Sequence, residues 1–240
     1  MKKITKSSEL LWFFGVVFVA LGVAICSKAD LGVSMIAAPA FVISEALLTL
    51  WNGFSVGVVE YLFQGVLLIV LFIIIKKFSL KFSLAFVVAV IYGYFLDFFI
   101  WLLSGVEINY VWLRWVMLIV GDMVTAFGVA SFFRTKYPLQ VYELFVAKIT
   151  IHFNIAISKA KSIFDIGLLV LSIVLALTLF GDVATFDWST IYYKSFHSIG
   201  LGTLLTTLIN SPLIAFNCRI IDKLFDNKPL FAKLEERLKV

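Results

Sequence analysis

Lys76-Lys77-Phe78-Ser79-Leu80-Lys81 is a short basic turn set between two long apolar runs, Gly57–Ile75 and Phe82–Leu103. Each run has roughly the 20 residues that a helix needs to cross a hydrocarbon layer about 30 Å thick. Neither run alternates apolar and polar residues, as a barrel strand would, so both read as helices. Short loops rich in Lys and Arg stay on the cytoplasmic side. The turn is therefore inside, and that placement limits how many crossings can precede it.

Working outward, four more runs have the same character: Leu10–Ser27, Trp112–Phe133, Ser162–Phe180 and Ile199–Cys218. Two shorter stretches are ambiguous. Leu31–Leu50 is apolar but contains Pro39 and Glu45, and Pro138–His152 contains Glu143, Lys148 and His152. If both crossed, Lys76, Lys77, Lys81, Arg134 and Lys136 would move to the outer side. With six spans and the N-terminus inside, 17 basic residues are inside and only Lys28, Arg114 and Lys194 are outside. The outer loops then carry Asp30, Glu107, Asp182 and Asp187. The expected fold is an all-α membrane protein of six transmembrane helices in a bacterial inner membrane, with both termini cytoplasmic. The two extra stretches become re-entrant or interfacial helices, because irregular backbone at membrane depth must be covered by protein or line a water-filled cavity.

Composition agrees with a lipid environment. The chain is 62% hydrophobic and 15% charged, whereas a soluble domain carries about 25% charged residues. The net charge of +5 lies between apolar runs and suits orientation and anionic headgroups. No basic stripe with interleaved exposed aromatics points to nucleic acid. Cys26 and Cys218 have no CxxC or His neighbour and read as small hydrophobes. Met1-Lys2-Lys3 resembles the start of a signal peptide, but the run behind it is too long, so it is expected to be a retained first helix.

A repeat runs through the chain. Ala20-Leu21-Gly22-Val23-Ala24 returns as Ala126-Phe127-Gly128-Val129-Ala130, and a basic residue follows each four positions on, Lys28 and Arg134. A Pro-bearing stretch, an acid opening the next span (Glu60, Asp165) and a third span complete each unit. The chain thus divides into 1–103, 112–218 and a tail, 219–240. Three spans is an odd number, so successive units must be inverted about an axis in the membrane plane. Many secondary carriers are built this way, with paired interrupted segments meeting near the midplane.

The acids near the spans are the candidates for chemistry. Asp122 lies about 11 residues from either end of its run and Asp97 about 6 from the outer end, roughly 9 Å deep at 1.5 Å per residue. A carboxylate at the midplane costs about 2.5–3.5 kcal/mol on insertion scales, so each faces protein or water. Both are candidates to bind solute or carry a proton; the alternative is a structural Asp met by donors on a neighbouring helix. Glu45 and Glu143 in the interrupted stretches are further candidates, against snorkelling at the headgroups. Glu60 and Asp165 read as charges favoured by the helix dipole at an N-terminus. Gly200-Leu201-Gly202-Thr203 opens the last span. Its glycines allow close approach, and free N–H groups at a helix start suit an anion, although small-residue packing is the simpler account of the pattern. Ala20, Ala24, Ala126 and Ala130 form small-xxx-small faces for packing within the chain or docking a partner. His152 and His197 are solitary, and no metal, cofactor or nucleophile pattern is present, so an enzyme is not expected. Leu230, Leu234 and Leu238 make one stripe, predicting a short amphipathic helix on the cytoplasmic face.

Leu21-Gly22-Val23-Ala24 with Ala29-Asp30-Leu31-Gly32-Val33-Ser34 resembles the opening of the YitT/YczE-type membrane proteins. Ile199-Gly200-Leu201-Gly202-Thr203, followed by Ser211-Pro212-Leu213-Ile214, resembles their closing helix. Gly32-Val33-Ser34-Met35 lacks the usual Pro-Trp type pair and Ser211 replaces the closing Gly. The Ala20/Ala24 face is also similar to helix 1 of the substrate-binding subunits of energy-coupling-factor transporters. The resemblance implies the architecture and transport of a small solute, without naming the cargo. The expectation is a carrier for a small solute, proton-linked through Asp97 or Asp122. The alternatives are a binding subunit that docks an ATPase module, or a scaffold or regulator that acts without transport, alone or as a homo-oligomer.

Overall fold

The computed structural model describes residues 4–48, 51, 53–76, 80–135, 137–180 and 186–228. Eight helices account for most of them: α1 (Ser8–Ala29), α2 (Ala38–Leu48), α3 (Val56–Ile75), α4 (Leu80–Leu103), α5 (Val111–Phe133), α6 (Val141–Phe153), α7 (Ile157–Leu179) and α8 (Leu201–Leu224). Six of these, all but α2 and α6, are long and apolar enough to cross a membrane. The protein is a multi-pass membrane protein. The two ambiguous stretches became the short helices α2 and α6, each entered by an irregular segment, as their Pro-bearing starts require.

Local chemistry sets the helix ends. Ser7 and Ser55 cap α1 and α3 by accepting from the Leu10 and Val58 N–H groups, which have no partner within the helix. Asp30, Lys76 and Asn154 close α1, α3 and α6 in the left-handed conformation, at φ 55°, 55° and 51°, a common way to end a helix.

Two of the helix crossings rest on close glycine contacts. α1 packs along α5, where Gly22 faces Gly121 so closely that a Cβ on Gly22 would stand 2.5 Å from the Gly121 carbonyl oxygen. α3 packs along α4 at Gly57 and Gly93, where a Cβ on Gly93 would stand 2.6 Å from the Gly57 carbonyl. Lipid gives helices no hydrophobic reason to associate, so backbone approach through small residues supplies the van der Waals contact instead. Ala20, Ala24, Ala126 and Ala130 are all buried inside the chain, where they pack helix against helix. Large side chains such as Ile69, Ile73 and Leu208 are exposed on the perimeter, where lipid is their solvent.

The helix contacts come in matched sets. α1 lies on α4 as α5 lies on α8; α2 touches α3 and α7 as α6 touches α7 and α3. α1 and α5 run antiparallel. Trp12 at the start of α1 donates to the Pro138 carbonyl beyond the end of α5 at 2.9 Å. Arg114 at the start of α5 pairs with Asp30 at the end of α1 at 3.1 Å. The match is incomplete, since α3 packs along α4 while α7 makes no comparable packing on α8.

Both ends of the described chain lie together. Strand β1 (Ile4–Ser7) pairs in parallel with β2 (Phe225–Lys228), Ile4 opposite Phe225, and Arg134 pairs with Asp222 at 2.6 Å beside them. This small sheet is an addition to the all-helical expectation. α8 also runs on to Leu224, past the Cys218 boundary read from hydropathy. The amphipathic helix expected at 230–238 lies outside the described residues.

Candidate functional site

A cavity of about 190 Å³ lies at the centre of the bundle. Its walls come from both halves. α3 gives Glu60, α4 gives Tyr92, α6 gives Tyr142 and Glu143, and α7 gives Lys161; Gln140 stands just before α6. Ser34 and Ala37 from the segment entering α2 line it as well, and so do Asn210 and Ser211 of α8. The starts of both short helices therefore reach the same space. Pro212 sits inside α8 and cannot donate to the carbonyl one turn back, at Leu208. That interruption falls beside Asn210 and Ser211.

The polar groups here are unevenly matched. Glu60 is fully buried, and its Oε1 accepts a 2.9 Å hydrogen bond from the Tyr142 phenol. Its Oε2 has no hydrogen-bond partner, and the same is true of Glu143 Oε2 and Asn210 Oδ1. Gln64, one turn along α3 and also fully buried, stands beside the Glu60 carboxyl. Buried polar atoms nearly always find partners, so a cluster of exceptions marks polar atoms open to water or a ligand. Lys161 is held by Asp165 at 3.2 Å. Glu143 lies on α6, outside the six spanning helices, and burial raises its carboxyl above the ordinary range of about 4.5; Lys161 and the residue's own backbone N–H pull it down, and Asp165 pushes it up.

Residues 6–219 match a family described as a family of unknown function, DUF6198. The chain belongs to this family. Among curated proteins and among solved structures, nothing matches it. A family without an assigned activity leaves function to be argued from the site itself.

In this DUF6198 member the acids singled out by depth alone have separate places. Asp97 is half-buried on α4 and accepts from the Ser55 hydroxyl at 2.6 Å and the Gly57 N–H at 2.7 Å. It clamps the start of α3, away from the cavity. Asp122 is buried beside the α1–α5 crossing with its Oδ2 unpartnered, and it does not line the cavity either. Glu45 meets His197 Nδ1 at 2.8 Å in an outer recess that also holds Asp30 and Ser195. Gly200, Gly202 and Thr203 receive the turn after α1: the Gly202 N–H donates to the Leu31 carbonyl at 2.8 Å, and Thr203 Oγ1 accepts from the Gly200 N–H at 3.2 Å. Those N–H groups are occupied by the chain and offer nothing to an anion. Of the expected acids, Glu143 alone lines the cavity.

Glu60, Tyr142 and Lys161 line the cavity, and none of them was among the sequence's candidates for binding. Glu60 read as a charge at a helix start, yet Ser55 caps α3 and Glu60 turns inward, fully buried. The one available signal was the pairing of Glu60 with Asp165 in the repeat. Both stand near Lys161 or Tyr142 in the fold.

Proposed function

We propose that this protein is a secondary carrier for a small solute, proton-linked through the buried carboxyls of Glu60 and Glu143. In this reading the two halves are inverted repeats, the protein lies in the bacterial inner membrane, and both ends face the cytoplasm. The observation that carries it is a cavity walled by both halves, reached by the starts of both short helices, and holding carboxyl oxygens without partners. The matched contacts, the antiparallel α1 and α5, and the meeting of β1 with β2 support the inverted arrangement. A buried carboxylate is costly in a low-dielectric interior, so in this reading the pair exchanges a proton when solute binds. Loss of that proton on solute binding is the natural coupling step. YitT/YczE-type proteins remain the resemblance for this architecture.

A role as the binding subunit of an ATP-driven importer draws no support from Ala20 and Ala24, because both are buried within the chain. The test is flux in sealed vesicles carrying the purified protein and an internal pH dye. A solute panel applied under a pH gradient should move protons with the wild type, and Glu60→Gln should abolish the movement. Absence of any solute-dependent proton flux in the wild type contradicts the proposal.

A further inference from the structure

We propose that the central cavity takes a small organic cation, a monoamine with a compact apolar body, whose ammonium replaces one proton carried by the Glu60 and Glu143 pair. This rests on the carrier reading of the same cavity and names its cargo class.

Four observations converge. The lining atoms left without partners, Glu60 Oε2, Glu143 Oε2 and Asn210 Oδ1, are all oxygens, and a carboxyl oxygen accepts once its proton has left. A ligand that satisfies them must bring N–H or O–H donors, and an ammonium brings three. The charges agree. Among the described residues that face this space, Glu60 on α3, Glu143 on α6 and Asp165 behind them on α7 stand against one cation, Lys161 on α7, which Asp165 already engages at 3.2 Å. The other titratable groups are the phenols Tyr92 on α4 and Tyr142 on α6; the parts of α1, α5 and α8 in the lining contribute none. The carboxyl groups outnumber the cations, so an anion would add to the excess of acids, whereas a cation takes the place of the proton that leaves.

Size and surroundings restrict the body. Beside the polar atoms the wall is apolar and aromatic, including Val23, Val129, Tyr92 and Phe164, and aromatic rings add attraction for a cation. A cavity of about 150 Å³ accepts benzene, so about 190 Å³ holds one ring or a short branched chain with a single ammonium. Lining residues come from α7 and α8, which do not pack along one another; this side suits an amphiphilic solute arriving from the bilayer.

The exchange balances simply. The ammonium enters with its charge, a carboxyl O–H bond breaks, and the proton leaves to water. Binding therefore weakens as pH falls, about tenfold per pH unit for each proton displaced.

The experiment is thermal unfolding of the intact protein in detergent with benzylammonium, cyclohexylammonium and n-butylammonium, against benzyl alcohol and sodium chloride at the same concentrations. At least one amine should raise the unfolding temperature by about 3 °C or more at saturation. The shift should vanish in both Glu60→Gln and Glu143→Gln, two near-isosteric changes, and shrink at low pH. Three results overturn the inference: no shift with any amine, an equal shift with benzyl alcohol or sodium chloride, or a full shift retained in whichever variant folds. Solute-coupled flux by a non-amine would then leave the carrier reading standing. Amine binding without any flux would instead remove the carrier reading and leave the ligand class.

Discussion

The phenol of Tyr142 donates a 2.9 Å hydrogen bond to Glu60, joining the start of α6 in the second half to the inner face of α3 in the first. It reaches a carboxyl buried completely within the bundle. Removing it leaves the Glu60 oxygen without a protein partner, which costs about 1–3 kcal/mol for a buried acceptor. Tyr142→Phe should therefore lower the unfolding temperature in detergent by several degrees. An unchanged temperature would show that the bond contributes nothing.

Asp97 and Glu60 should separate stability from flux. Asp97 receives the Ser55 hydroxyl and the Gly57 N–H at the start of α3. Asp97→Ala strands both donors and should cost about 2–3 kcal/mol, with flux per folded molecule unchanged. Glu60→Gln keeps the shape and an acceptor for Tyr142, so it should unfold near the wild-type temperature and lose proton-linked flux. The two variants are compared by melting curves and vesicle assays on equal amounts of folded protein. Loss of flux in the Asp97 variant would return that residue to the transport path.

The α1–α5 crossing depends on an absent methyl group. A Cβ at Gly22 would meet the Gly121 carbonyl oxygen at 2.5 Å and the Thr125 N–H nitrogen at 2.6 Å, both backbone atoms that cannot step aside. Gly22→Ala should push the helices apart and cost about 1–3 kcal/mol, the usual range for overpacking. Gly167 on α7 has nothing within 4 Å of its would-be Cβ, so Gly167→Ala should be neutral or slightly stabilising through helix propensity. Equal melting temperatures for the two variants would contradict the close crossing.

Glu143 predicts a pH dependence with a definite sign. Burial lifts its carboxyl above about 4.5 in the fold, so the folded state holds this proton more tightly than the unfolded chain. Its stabilising contribution is present at low pH and is lost as pH climbs from about 4.5 through the raised value. Glu143→Gln removes the effect. Melting temperatures should match the wild type near pH 4 and exceed it near pH 8. A variant less stable than the wild type at pH 8 would mean that ionised Glu143 is well compensated.

The spans were legible because their signal is long-range and simple. Apolar runs and the distribution of cations located six helices, and Pro39 and Pro138 located the two short ones. Residue roles were less legible because depth says nothing about rotation. Asp97 reads as an intramembrane acid and Glu60 as a charge at a helix start, yet Asp97 faces the helix start and Glu60 the cavity. That difference depends on Ser55 capping α3 and on α6 folding back to bring Tyr142 beside Glu60, a contact between residues 82 positions apart. The glycines at 200 and 202 read as an open helix start because the Leu31 carbonyl that fills it comes from a turn far away in the chain. The unequal packing of α3 on α4 and of α7 on α8 leaves no trace in the repeat.

Alternating access to the cavity can be measured without knowing the cargo. Ala147 lines the cavity, and the native Cys26 and Cys218 are both buried and are replaced by Ala. A single Ala147→Cys in reconstituted vesicles is then exposed to a membrane-impermeant thiol reagent from one face or the other. A carrier that alternates should be labelled from each face, with the balance shifted by a pH gradient. Labelling confined to one face under every gradient, or to neither, would contradict the account.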